Sequence, residues 1–157
     1  MNFHGSLRTA RSEPYVWTSS KHLVPVYYTQ ARSSVPGYAS VCASGQSTTT
    51  FCGLAASQPD TTVLYCDTTA CARNPTVDNV HLMKGLTRVT KSSGLCTQPG
   101  DSGGAIYVPA LGPHGEHGGV RAVGILSGVS TSDYCTVFYT PVYVAQKLFH
   151  ARILTIG

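Results

Sequence analysis

The run Cys96-Thr97-Gln98-Pro99-Gly100-Asp101-Ser102-Gly103-Gly104 decides how this chain is read. With glycine at about 7% of average usage, Gly-Asp-Ser-Gly-Gly arises by chance in a chain of this length on the order of 10⁻⁴ of the time. Gly100 can take backbone angles closed to other residues, so that successive N–H groups converge on one point. The N–H groups of Gly100 and Ser102 are candidates for such a pair, an oxyanion hole, where one donor is worth roughly 2.7–4 kcal/mol of transition-state stabilisation. Ser102 would present its hydroxyl beside them as a nucleophile, and Gly103 and Gly104 leave room for a substrate backbone and a base. Asp101 reads as a structural anchor rather than as a catalytic acid. The bland alternative is a tight Gly-Asp-Ser turn with no chemistry.

Outward from this run the chain is a succession of short β-branched and aromatic stretches broken by Gly, Pro, Ser and Asp. Strands are predicted over residues 23–28, 38–43, 62–66, 77–83, 86–89, 105–108, 120–126 and 136–140. The one convincing helical stretch is terminal, Val142 to Phe149 after Pro141. Residues 109–119, rich in Gly and Pro between two predicted strands, read as a hairpin excursion whose His114 and His117 are solvated. Residues 8–22 are polar and weakly patterned, like a linker. Regular strand spacing with no βαβ rhythm predicts an all-β barrel or sandwich.

Composition agrees. Charged residues make up 11% of the 157, against about 25% in an average domain, while there are 16 Gly and 9 Pro. Such thrift with charge suits turn-rich strands and does not suit disorder. The net charge of +4 is scattered, so a nucleic-acid partner is not expected. No stretch approaches the roughly 18 apolar residues of a membrane span, and no signal peptide is visible at the start.

Six cysteines lean towards disulfides and an oxidising, extracellular setting. Spacing alone leaves all the pairings open. Cys42 and Cys52 flank a small-residue stretch that suits a hairpin tip, Cys66 and Cys71 enclose a turn, and Cys96 and Cys135 remain as a long-range pair. The alternative is a zinc site using Cys66, Cys71 and His81, for which no second closely spaced ligand pair exists.

Taken together, these motifs resemble the bacterial-type chymotrypsin-like serine peptidases, the group of streptogrisins and α-lytic protease. The matching segments are Cys96–Gly104, Leu126-Ser127-Gly128-Val129 ahead of Cys135, and Val41-Cys42-Ala43-Ser44-Gly45 through Phe51-Cys52-Gly53. Gly85-Leu86-Thr87-Arg88 and Val137-Phe138-Tyr139-Thr140-Pro141-Val142 also match, so the resemblance covers roughly residues 36–150 in the family's order. It implies an antiparallel Greek-key β-barrel of the trypsin-like fold, the second of two, with the first largely missing and a short C-terminal helix. Residues 1–35 would then be linker and remnant of the first barrel, and 36–157 the barrel that carries the nucleophile. The resemblance also implies the pairs Cys42–Cys52 and Cys96–Cys135; Cys66–Cys71 rests on spacing.

For the site, the resemblance implies an acyl-enzyme on Ser102 and an oxyanion hole from Gly100 and Ser102. A polypeptide substrate would be held by Gln98, by the strand Ser127, Gly128 and Val129, and by Val137 at the pocket. No acid stands at the pocket base, and Val129 and Val137 are bulkier than glycine, which leans towards small or medium apolar side chains. No cofactor or metal is implied. None of His4, His22, His81, His114, His117 and His150 lies in the family's catalytic context, and Phe3 stands where its triad Asp would be. The expectation is therefore a peptidase domain inactive alone, whose His and Asp come from an N-terminal barrel, with a pro-segment as another expected partner. The alternatives are a non-catalytic pseudo-peptidase or peptide-binding module, and a disulfide-stapled structural module.

Overall fold

The computed structural model describes residues 13–19, 22–31, 40–66, 68, 71, 73–76, 78–130 and 132–156. Among the described residues the main elements follow in the order β1 (Tyr15–Ser19), β2 (His22–Thr29), β3 (Val41–Gly45), β4 (Thr49–Cys66), β5 (Val80–Thr90), β6 (Ala105–Ala110), β7 (Gly119–Val129), β8 (Thr136–Pro141) and α1 (Val142–Leu148).

Strands β3 to β8 close on themselves. β3, β4 and β5 form an antiparallel meander, β5 pairs with β8, β8 with β7, β7 with β6, and β6 returns to β3. The jump from β5 across to β6 makes this a Greek key. One pairing corrects the expectation of a wholly antiparallel sheet: β2 runs parallel to β7, with Val26 opposite Val120. β8 covers β7 only from Gly124 to Val129 on that edge, which leaves the first half of β7 with an open row of amides. β2 takes that row, as an uncovered sheet edge would invite, and β1 pairs onto β2 outside it.

Three elements differ from the sequence expectation. The stretch 8–22, taken as linker, holds β1 in its described part. β4 begins at Thr49 rather than at residue 62, and its register shifts between Ala56 and Val63 are what its polar composition concealed. The predicted strands 77–83 and 86–89 meet in one strand, β5, which begins at Val80 and in which Gly85 at φ +74° makes the break that reads as a turn.

The barrel interior is filled by side chains such as Val41, Leu54, Val89, Ile106, Leu126 and Tyr139, all at most 2% exposed. A second cluster, including Val26, Tyr107 and Val120, seals β2 against the outside of the ring. Leu54 has no exposed surface, so Leu54→Ala is expected to cost about 2–5 kcal/mol of unfolding free energy in a urea titration. The sulfurs pair as Cys42–Cys52, Cys66–Cys71 and Cys96–Cys135. That spends the thiols a zinc site would need and overturns that alternative. No helix among the described residues is long and apolar enough to cross a membrane.

Candidate active site

The loop between β5 and β6 is tied down at both ends. At its start the Cys96–Cys135 disulfide holds it, and Thr97 Oγ1 donates to the Tyr134 carbonyl at 2.6 Å. At its end the Gly103 N–H donates to the Leu126 carbonyl at 2.8 Å, and the Leu126 N–H donates to the Gly104 carbonyl at 2.8 Å. The nucleophile loop is thereby sewn to the strand that carries Ser127 to Val129. Gly100 sits at φ +101°, a region that side-chain-bearing residues avoid. Gly104 is required by close approach, since a Cβ there would lie 2.2 Å from the Ser44 carbonyl oxygen.

Between these anchors the amides split into two sets. The Asp101 N–H turns inward to the Gln98 carbonyl at 3.1 Å, and the Gly104 N–H to the Asp101 carbonyl at 3.0 Å. The Gly100 and Ser102 N–H groups donate to no acceptor among the described residues. Ser102 is exposed and lines a cleft of about 440 Å³ with Tyr15, Trp17, Gln46 and Gly100 to Gly104. That is the size of an ordinary ligand site. Trp17, 60% exposed, stands on the rim, and β1 is fixed there by the Ser44 hydroxyl donating to the Trp17 carbonyl.

Asp101 is buried. Its Oδ1 accepts from the N–H groups of Ser47 (2.8 Å) and Thr48 (3.0 Å), and its Oδ2 from the Thr48 hydroxyl (2.5 Å) and the Gln98 N–H (2.8 Å). Burial pushes this carboxyl up, but the four donors outweigh it and hold it below the usual aspartate value. An anchor bonded on both oxygens to the inside of the fold is not available to orient a base in the cleft.

The other named residues lie as follows. Gln98 is exposed in the loop, its N–H committed to Asp101. Ser127, Gly128 and Val129 end β7, with Gly128 opposite Phe138 and Val129 opposite Val137. The Ser127 hydroxyl is occupied, at 2.7 Å from Thr140 Oγ1. Val137 is wholly enclosed in the barrel core, with Val129 packed against that core. Beside Ser127, a smaller cavity of about 250 Å³ is lined by Tyr65, His81 and Met83 of the β4–β5 hairpin. The sequence carries no local signal for these three, because they reach Ser127 only through the length of β4 and β5. Among the described residues no histidine lines the Ser102 cleft. His4 and Phe3 lie outside the described residues.

With this geometry in hand, the chain compares with known proteins as follows. It is similar to a chymotrypsin of Cellulomonas bogoriensis, with a TM-score of 0.62 and 26% identity over 92% of this chain and 63% of that one. It is similar also to a glutamic-acid-specific serine protease described as using a histidine triad in substrate binding, with a TM-score of 0.65 and 20% identity over 94% of this chain and 63% of that one. The fold is thus that of the chymotrypsin-like serine proteases, and the chain spans less than two thirds of the length of either. No protein-family model matches the chain, and no curated protein matches it in sequence.

Proposed function

We propose that this chain is the nucleophile-bearing C-terminal barrel of a secreted serine endopeptidase of the streptogrisin and α-lytic protease group. The observation that supports this reading most is the pair of unbonded amides, Gly100 and Ser102, on either side of an aspartate whose own N–H and carboxylate are turned inward. Two such donors beside an exposed serine suit the oxyanion of a tetrahedral intermediate. In this reading Ser102 Oγ attacks the scissile carbonyl and gives its proton to an imidazole, and the acyl-enzyme forms as that imidazole protonates the leaving amine. Water then takes the same route to release the acid.

The imidazole and its orienting carboxylate come from an N-terminal barrel outside this chain. The exposed Trp17 and Tyr15 on the cleft rim suit such a partner. The substrate lies as an added strand along Ser127 to Val129, whose other edge is already paired to β8. Gln98 flanks it, and Val129 favours small or medium apolar side chains, while Val137, expected at the pocket, lies in the core opposite Val129 and offers the substrate no surface. Three disulfides suit an extracellular setting.

The test is to join the chain to a barrel bearing the missing His and Asp and to assay peptide substrates that differ only in the residue before the scissile bond. Cleavage after Ala, Val or Leu, abolished by Ser102→Ala, is the expected result. A second reading, a peptide-binding pseudo-peptidase, is favoured by the lack of a histidine at the described cleft. Peptide binding along Ser127 to Val129 with no turnover in the joined protein would select it.

A further inference from the structure

A buried carboxylate ordinarily faces a cation. Asp101 is 1% exposed, yet every group bonded to it is neutral: three backbone N–H groups and one hydroxyl, from Ser47, Thr48 and Gln98. No Lys, Arg or His among the described residues pairs with it, and no charged neighbour contributes to its titration. Two of these three residues belong to the turn that joins β3 to β4. That turn and the last residue of β3 touch the loop once more each. The Ser47 hydroxyl donates to the Pro99 carbonyl at 2.8 Å, and Gly45 lies so close that a Cβ there would stand 2.3 Å from Asp101 Oδ1.

We propose that the β3–β4 turn is the positioning device of the nucleophile loop: Ser47 and Thr48 grip the ionised Asp101 carboxylate with neutral donors, and that grip turns the Gly100 and Ser102 amides outward. The inference rests on reading those amides as an anion-binding pair, and it assigns Ser47 and Thr48 as positioning residues. It follows that the loop needs no ammonium or guanidinium partner to take its shape. The grip depends instead on the charge of one carboxyl group. A protonated acid carries its own O–H among four donors and can satisfy fewer of them. Because the folded carboxyl titrates below the ordinary aspartate value, the grip is complete at neutral pH and is released as pH falls through that lower value.

The experiment is amide hydrogen exchange and ¹⁵N–¹H NMR of this chain across pH, in wild type, Thr48→Val and Thr48→Ser. Thr48→Val keeps the shape and removes the hydroxyl. It should speed exchange of the Ser47 and Gln98 amides roughly tenfold or more, the scale of a lost hydrogen bond to a charged group, and shift the Gly100 and Ser102 signals. Thr48→Ser should restore wild-type behaviour. In wild type, the amides of Ser47, Thr48, Gln98, Gly100 and Ser102 should titrate together with one midpoint. Unchanged Gly100 and Ser102 signals in a folded Thr48→Val protein, or separate midpoints in wild type, would overturn the proposal. If Thr48→Val does not fold, the wild-type titration decides by itself. Nothing here requires turnover: a Ser102→Ala chain should show the same common titration. A protein joined to a His- and Asp-bearing barrel that keeps the grip intact and never acylates would therefore sink the peptidase reading alone.

Discussion

Assayed by itself, the chain is expected to hydrolyse peptides no more than about 10³–10⁴-fold faster than water, the level left by an oxyanion hole and binding when triad members are lacking. Enzymes of ordinary power accelerate reactions by roughly 10⁶–10¹⁷-fold, so joining a His- and Asp-bearing barrel should raise the rate by at least about 10². The physical reason lies in the cleft. A serine hydroxyl is a weak nucleophile without an adjacent base, and among the described residues of the Ser102 cleft the single titratable acid, Asp101, is buried and fully bonded. Steady-state hydrolysis of one peptide substrate by the two forms measures the difference. Equally high rates would mean that a base is present in this chain after all, and equally low ones would select the pseudo-peptidase reading.

The second large effect concerns Cys96–Cys135. The three disulfides close loops separated by 39, 10 and 5 residues. Constraint of the unfolded chain grows with the logarithm of that separation, which gives about 4, 3 and 2 kcal/mol respectively. Replacing Cys96 and Cys135 together by Ser should therefore cost the most, a large share of the roughly 5–15 kcal/mol that stabilises a domain. The same replacement loosens the start of the nucleophile loop, where the Thr97 hydroxyl and the Lys91 N–H reach the carbonyls of Tyr134 and Cys135. Urea unfolding of the three double-Ser variants orders the contributions. If the Cys66/Cys71 variant proved as costly as the Cys96/Cys135 variant, the assigned topology would be contradicted.

What was legible in the sequence was local. Gly-Asp-Ser-Gly-Gly marks its own loop because its backbone angles and its chemistry lie within five residues. Strands β6, β7 and β8 follow their β-branched runs to within a few residues. The polar β4 was not legible beyond its last residues, because its register shifts break the alternation that marks a strand. Nor was the parallel seat of β2 on β7, which depends on how far β8 extends along the same edge. Asp101 was recognisable as an anchor, but apart from Gln98 its donors, Thr48 and Ser47, stand 53 and 54 positions earlier in the chain. Nothing in Gly45-Gln46-Ser47-Thr48 announces that it faces a carboxylate. The role of a small polar turn of this kind becomes visible only when the barrel brings it against the nucleophile loop.

The most direct test of the central claim is fluorophosphonate labelling of the chain joined to a barrel that supplies His and Asp, followed by peptide mass spectrometry. The account predicts one phosphonylated residue, Ser102, with labelling lost in Ser102→Ala and absent from the unjoined chain. Modification at another serine, or none in a joined protein that is folded and binds peptide, would contradict it.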